Sequence, residues 1–182
     1  VTLTENRKEQ ISGSFDRREY ISQTSCGICG KELVNELHQI LHPIEKDTII
    51  EPEKALFCLQ NLGRHQPLRE KTRAAHAAAI YDNRYKLLAV AEDVGRHNAL
   101  DKAVGKLFLK NKLSRGAFLV LSSRISYELV QKTARARIPV ILAISRPTEL
   151  AVSLASALNI TLASRSRDSG LNIFCGKDRL FL

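Results

Sequence analysis

The sequence contains no methionine and no tryptophan, and only four of its 182 residues are cysteine. Because methionine is absent, we expect that Val1 is not the native translation start. No apolar run approaches the roughly 20 residues that a membrane-spanning helix needs, and no signal-peptide pattern opens the chain. Cys58 and Cys175 lack paired spacing, which argues against the disulfide framework of a small secreted protein. These absences predict a cytoplasmic protein with no membrane partner.

Lysine and arginine outnumber the acidic residues, 28 against 19, and give a formal net charge of +9. Such an excess favours anionic partners, which include phosphorylated cofactors, nucleic acid and acidic protein surfaces. Because most charges are scattered along the chain, we do not expect a nucleic-acid partner. The length of 182 residues and the hydrophobic content of 44% fit one domain, or one domain with a small appendage.

The most informative segment, residues 92–102, lies between a predicted strand and a predicted helix. It places Gly95, Arg96 and His97 at the helix start, where backbone N–H groups are unpaired and the helix dipole favours negative charge. Glycine permits close approach of a ligand, arginine can fork onto a phosphate, and histidine can donate or shuttle a proton. One interpretation is a site for a phosphorylated small molecule. The other is a polar loop in which Asn98 is an ordinary N-cap.

A second motif places two thiols three residues apart, at Cys26 and Cys29, with a glycine after each and Lys31 close by. The glycines leave the sulfurs accessible, and the lysine favours the thiolate. The spacing suits disulfide exchange, metal ligation and a persulfide carrier. A zinc site would add His38 and His42, but the eight residues between Cys29 and His38 are fewer than zinc fingers commonly use. We therefore expect no bound metal.

Strands and helices alternate from residue 117 onward, which predicts an α/β fold with a mainly parallel sheet and right-handed crossovers. The predicted strands span 87–90, 118–121, 140–144 and 160–163, and the predicted helices span 54–62, 99–109, 126–137 and 148–158. Residues 77–81 fit either a helix or a strand. Ligands of such sheets usually bind beyond the carboxyl ends of the strands. Residues 95–98, 122–124, 145–147 and 164–170 fall at those ends.

Five segments of the chain carry a resemblance to a known family. They are Thr24-Ser25-Cys26-Gly27-Ile28-Cys29-Gly30-Lys31-Glu32, His76-Ala77-Ala78-Ala79, the segment from Glu92 to Lys102, the segment from Arg124 to Lys132, and the segment from Pro147 to Val152. In order and spacing, from about Ser25 to the C-terminus, they resemble the formate dehydrogenase accessory sulfurtransferase family. The resemblance implies a sulfurtransferase that carries sulfur as a cysteine persulfide, with Cys26 and Cys29 as catalytic residues.

The same resemblance implies a set of partners. The sulfur donor would be a cysteine desulfurase, and the acceptor would be the molybdenum bis-pterin guanine dinucleotide cofactor bound for formate dehydrogenase. It also implies a homodimer and a three-layer α/β/α core similar to that of cytidine deaminases. The predicted cofactor-binding residues are His76, Gly95, Arg96, His97, Arg165, Ser166, Arg167, Asp168, Ser169 and Gly170. The alternatives are a core histidine at position 76 and a flexible basic hairpin at 165–170.

We assign residues 1–25 to an N-terminal arm and residues 26–182 to the α/β sulfurtransferase domain. Three places depart from glycines that are usual in the family: Thr72-Arg73-Ala74 stands for Thr-Gly-Gly, Ser122-Ser123-Arg124 for Ser-Gly-Arg, and Ser164-Arg165 for Gly-Phe. Larger or polar residues there predict a narrower or reshaped cofactor site. Deaminase chemistry is not expected, because Ala78 stands where the proton-shuttling glutamate would follow His76. The alternative function is a nucleotide-binding or protein-interaction module with a structural zinc at the two motif cysteines.

Overall fold

The computed structural model describes residues 41–45, 47–166 and 170–180. Several residues of the predicted site lie outside this part of the chain, as does the predicted boundary between arm and domain at residues 25 and 26. They are Cys26, Cys29, Arg167, Asp168 and Ser169, together with His38 of the alternative zinc site. The described residues belong to a unit that begins at Leu41.

Six strands of the described part form one sheet in the order β2-β1-β3-β4-β5-β6. Their bounds are β1 His76–Tyr81, β2 Leu87–Asp93, β3 Phe118–Leu121, β4 Val140–Ala143, β5 Thr161–Arg165 and β6 Leu171–Cys175. The segment at 77–81, which fitted either a helix or a strand, is therefore a strand. Tyr81 and Phe118 stack their rings with centroids 5.0 Å apart where β1 meets β3. The α/β class predicted from the sequence is confirmed.

The sheet is mixed, so the prediction of a mainly parallel sheet is wrong in this respect. β3, β4 and β5 run parallel, whereas the β1–β2, β1–β3 and β5–β6 pairs are antiparallel. The physical reason lies in the connections. A parallel pair needs a crossover of a dozen or more residues, and among the paired strands of the described sheet only β3–β4 and β4–β5 are joined directly by a helical crossover. The short turn between β1 and β2 returns the chain antiparallel to itself.

Five α-helices lie in the described part of the chain. They are α1 Pro52–Gln60, α2 Pro67–Thr72, α3 Arg96–Phe108, α4 Tyr127–Arg135 and α5 Glu149–Ala157. The buried side chains of α1 pack with Ala77, Ala79 and Tyr81 on one face of the sheet. Alternate residues such as Ala78 and Ile80 are fully buried on the other face, where α3, α4 and α5 lie. The result is the expected three-layer arrangement.

The helix boundaries show where local chemistry differs from the simple pattern. Proline at the start of α1 fixes the backbone angle and removes the need for an N–H partner, so this helix begins before the predicted residue 54. The helix ends at Gln60, before the predicted residue 62, and continues as a 3₁₀ turn, Asn61–His65. In the alternative interpretation Asn98 is the N-cap; that assignment is wrong, because α3 begins at Arg96 and its N-cap is Gly95. Within the described ranges, no helix is both long and apolar enough to cross a membrane.

Candidate anion-binding site at the sheet edge

The loops that the sequence singled out meet at one edge of the sheet. The carboxyl ends of β3, β4 and β5 lie there because these strands are parallel. The start of β1 and the end of β2 lie there too, since β1 is antiparallel to both neighbours and His76 pairs with Asp93. The Ser122 hydroxyl accepts a hydrogen bond from the Ala77 N–H at 2.7 Å and ties β3 to β1 at this edge. Helices α3, α4 and α5 all start from it.

Asp93 organises the turn that leads into α3. Its Oδ1 accepts hydrogen bonds from the Gly95 N–H at 2.9 Å and from Asn98 Nδ2 at 3.3 Å, and Oδ2 pairs with Lys102. The Lys102 hydrogen bond, followed by the Gly95 N–H, lowers the pKa of Asp93 to about 2. The N-cap, Gly95, offers no side chain to the N-terminus of α3. The first-turn N–H groups, which have no intrahelical partner, can therefore serve an anion.

Arg96 and His76 present two buried polar atoms beside this turn. Arg96 Nε and His76 Nδ1 are both buried, and neither has a hydrogen-bond partner among the residues that the structure describes. Burial lowers the pKa of His76, and the guanidinium groups of Arg96 and Arg69 lower it further. The interpretation of His76 as a core histidine bonded to backbone is not supported at Nδ1. A ligand oxygen that accepts from Arg96 would satisfy one of the two unpaired groups.

His97 connects α3 to the start of α4. Its Nε2 lies 3.3 Å from Ser126 Oγ and 3.9 Å from Glu128 Oε2, and its side chain is 36% exposed. Burial lowers the pKa of His97, Arg96 lowers it further, and Glu128 opposes both effects. An imidazole that is mostly neutral near pH 7 and sits beside a carboxylate can accept and return a proton. Neither Ser126 nor Glu128 was predicted as its partner, because the contact with Ser126 joins positions 29 residues apart along the chain.

Glu92 is a supporting residue that motif reasoning did not single out. Its two carboxylate oxygens accept the backbone N–H groups of Leu68 and Arg69 at 2.8 and 2.9 Å, at the start of α2. Arg69 in turn donates from Nη1 to the Ala75 carbonyl at 3.2 Å, one residue before His76. Glu92 thus joins the end of β2 to the segment that leads into β1. Only a long-range contact reveals this role, since the sequence separation is 24 residues.

The C-terminal loop begins at the same edge but on a distant strand. Arg165 ends β5 and is exposed, and the Ser166 N–H donates to the Gly170 carbonyl at 3.0 Å, which closes the loop. Gly170 has a φ of +92°, a backbone conformation that favours glycine. Three strand steps separate β1 from β5, about 14 Å. The predicted residues that the structure describes thus form two groups at one edge. One comprises His76, Gly95, Arg96 and His97, and the other comprises Arg165, Ser166 and Gly170.

Two sizeable cavities of the described part lie away from this edge. One, of about 510 Å³, is lined mainly by α1 and by aromatic side chains that include Tyr81 and Tyr85. The other, of about 680 Å³, borders Asp82 and Ala117 at the opposite edge of the sheet. We place the candidate site at the first edge because unpaired buried groups and helix starts converge there. In the described ranges, no three His, Cys, Asp or Glu side chains are grouped so that they could hold a metal ion.

An α/β sheet with cationic groups and helix starts at the carboxyl ends of its parallel strands is typical of proteins that bind anionic ligands at such an edge. The chain belongs to the FdhD/NarQ family, whose sequence profile matches residues 1–181. The family resemblance predicted from the sequence is confirmed.

Individual relatives support the same assignment. A protein of Bordetella bronchiseptica named sulfur carrier protein FdhD is 38% identical over 164 residues, which are 90% of this chain and 59% of that protein. A protein of Thermoplasma acidophilum with the same name is 37% identical over 91% of this chain and 59% of its own length. The crystal structure of a protein from Desulfotalea psychrophila, named provisionally as a formate dehydrogenase accessory protein, aligns with a TM-score of 0.71 and 26% identity. The alignment covers 89% of this chain and 64% of the Desulfotalea psychrophila protein. The chain thus spans about three-fifths of the relatives that it matches.

Proposed function

We propose that this chain is a sulfur carrier that takes sulfane sulfur from a cysteine desulfurase and passes it to a molybdenum bis-pterin guanine dinucleotide cofactor bound for formate dehydrogenase. The observation that carries the proposal is the similarity to relatives named sulfur carrier protein FdhD over nine tenths of the chain. The cationic sheet edge supports it, because an acceptor with two diphosphate groups is strongly anionic. We also propose that the protein works in the cytoplasm and forms a homodimer.

Sulfur acceptance would occur at Cys26. Its thiolate attacks the terminal sulfur of the donor's persulfide, a new S–S bond forms at Cys26, and the donor's S–S bond breaks to release its cysteine thiolate. The exchange has no net oxidation or reduction, and the nearby Lys31 would favour the attacking thiolate. Cys29 stands three residues on and would assist this step or resolve the persulfide.

The acceptor cofactor is a substrate in this scheme, and the sheet edge offers residues that fit it. Arg96 Nε, buried and without a partner among the described residues, can donate to a phosphate oxygen, and the first turn of α3 adds backbone N–H groups. His76 and His97 would orient the ligand and handle protons. The loop from Arg165 through Ser166, Arg167, Asp168 and Ser169 to Gly170 would hold the guanine nucleotide end.

Sulfur loading provides the direct test of the carrier role. The chain is incubated with a cysteine desulfurase and ³⁵S-labelled cysteine, and protein-bound sulfane sulfur is counted. We expect loading on the unmodified chain and on Cys58→Ala, since Cys58 is buried and burial raises the pKa of its thiol. Cys26→Ala should lose the label. Normal loading of Cys26→Ala would refute the assignment.

The same purified protein separates the carrier from the alternative zinc module. Stoichiometric zinc that survives dialysis, with no reactive thiol at Cys26 or Cys29, would favour a structural metal site. Within the described residues His42, one of the four ligands of that alternative, is exposed. A reactive and metal-free thiol pair is the result that we expect.

A further inference from the structure

Two neighbouring loops of the sheet edge carry an arginine at the same position. Arg124 follows β3 and Arg146 follows β4, and each stands directly before a residue of an isolated parallel bridge between Ile125 and Pro147. The Thr148 N–H donates to the Ile125 carbonyl at 3.0 Å and locks the two loops in register. Adjacent strand positions are about 5 Å apart. The backbone therefore holds the two arginines side by side.

Both loops are anchored although the two arginines are exposed. The buried Ser123 donates from its hydroxyl to the Arg124 carbonyl at 3.0 Å, and the next residue, Ile125, is fully buried. Arg146 precedes a proline, which restricts its backbone, and Thr148 then caps α5 by accepting the Ala151 N–H at 3.3 Å. The exposed arginine side chains extend from loops that are held by hydrogen bonds and buried neighbours, so little backbone ordering would oppose ligand binding there.

Neither arginine has a carboxylate partner in the part of the chain that the structure describes. Glu149 stands only three residues after Arg146, yet these two described residues form no ion pair. Elsewhere in the helical layer, Lys132 pairs with Asp101 and Lys102 pairs with Asp93. Two adjacent and uncompensated cations repel each other. An anion with two charged groups would remove this repulsion.

Two hydroxyls without a described partner lie in the elements next to the arginine loops. The Tyr127 hydroxyl and the Ser164 hydroxyl are buried without a hydrogen-bond partner among the described residues. Tyr127 is 3% exposed and starts α4, three residues after Arg124, and Ser164 is fully buried near the end of β5, beside β4. Buried hydroxyl groups are normally satisfied. The two hydroxyls belong to elements that adjoin the arginine loops, since α4 follows Arg124 and β5 pairs with β4. A polar ligand at this edge would supply the partners that they lack in the described part of the chain.

We infer that Arg124 and Arg146 form a paired-arginine site for a diphosphate group. A guanidinium binds a phosphate through two parallel hydrogen bonds, and two guanidiniums at adjacent strand positions match two linked phosphates better than one. The starts of α4 and α5 follow the two arginines and add their dipoles. The inference rests on the proposed function, for which the site would hold a diphosphate of the acceptor nucleotide between the Arg96 group and the C-terminal loop.

The test compares inorganic pyrophosphate, inorganic phosphate and guanosine diphosphate by isothermal titration on the full chain. Arg124→Ala and Arg146→Ala should each weaken pyrophosphate and guanosine diphosphate binding by about tenfold to a hundredfold, the effect of losing one charge-assisted contact. Inorganic phosphate should lose less, because it needs only one arginine. The matched control is Arg135→Ala, which removes the same charge from the exposed last turn of α4 and should bind as the unmodified chain does.

Several results would overturn the pair. If Arg135→Ala weakens pyrophosphate binding equally, the effect is one of nonspecific charge. If the variant that carries both Arg124→Ala and Arg146→Ala binds pyrophosphate as the unmodified chain does, the two arginines do not take part in binding. A single-stranded oligonucleotide that binds more tightly than guanosine diphosphate, and depends on the same arginines, would replace the diphosphate with a nucleic-acid backbone. Sulfur loading of the unmodified chain is measured in parallel. If the chain does not load sulfur but its pyrophosphate binding depends on the two arginines, the carrier role alone is refuted. If the chain loads sulfur but its pyrophosphate binding does not depend on them, the arginine pair alone is refuted.

Discussion

Replacing Arg73 by glycine should make the protein more stable, although the change removes a large side chain. Arg73 ends α2 with φ 56° and ψ 7°, in the left-handed region, and its N–H donates to the Arg69 carbonyl at 2.8 Å. The family resemblance, in which Thr-Gly-Gly corresponds to residues 72–74, leads us to expect a glycine at this position. In this chain a residue with a Cβ occupies a backbone conformation that disfavours it.

The size of the effect follows from the backbone. A left-handed residue with a Cβ is strained by roughly 1–2 kcal/mol, and the greater freedom of glycine in the unfolded chain offsets about 0.5–1 kcal/mol of the relief. Arg73 is exposed and no described contact of its side chain is lost. We therefore expect a gain of about 0.5–1 kcal/mol in the free energy of unfolding, and a rise in Tm of about 1–4 °C for a chain of this size.

Urea denaturation of Arg73→Gly and Arg73→Ala measures the two contributions separately. The alanine variant removes the same charge and side chain but keeps the Cβ, so its stability should stay close to that of the unmodified chain. If alanine stabilises as much as glycine, relief of charge repulsion is the cause and the backbone reasoning is refuted. A loss of stability in the glycine variant would refute it as well.

Two further predictions concern the hairpin that frames the C-terminal loop and the histidines of the edge. Gly176→Ala should destabilise by about 2–4 kcal/mol in urea denaturation, because φ is +66° and the new Cβ would lie 2.7 Å from Thr161 Oγ1; an unchanged midpoint would contradict the geometry. Stability should fall as the pH drops through and below about 6.5, the ordinary histidine pKa, because burial lowers the pKa of His76 and His97 in the folded chain and the unfolded chain then binds more protons. Free energies of unfolding measured at pH values of about 7.5 and about 5.5, on either side of that pKa, would test this. Replacing both histidines by asparagine should reduce the dependence of stability on pH. A rise in stability on acidification would contradict the prediction.

The sequence was most informative where local pattern and tertiary structure agree. Short apolar runs at 118–121 and 140–144 became buried parallel strands with almost the predicted bounds, because the crossover helices between them leave few alternatives. The direction of β1 and the pairing of β6 could not be predicted in the same way. Both depend on which strand edge remains free after the parallel core has formed, and no local residue pattern encodes that choice.

The site was predictable in its loops but not in its contacts. Gly95, Arg96 and His97 were identified because a strand followed by a helix makes an anion-binding turn. The Glu92 carboxylate contacts the start of α2, and the Ser126 hydroxyl contacts His97. These contacts join residues 24 and 29 positions apart in the chain, so only the fold reveals them. The two motif cysteines lie outside the described residues, and their role is a proposal that sulfur loading tests.

The distribution of charge at the edge links stability to function. Asp93 is engaged by Lys102 and by the turn into α3, and Glu92 by α2, so these two carboxylates already serve the fold. No acid among the described residues compensates the charges of Arg124 and Arg146. A ligand that supplies two negative charges would therefore bind to these arginines and, because it binds only the folded chain, would also raise the free energy of unfolding. Under the proposed function, the edge that would retain the anionic acceptor is the same edge that would position His97 for proton handling.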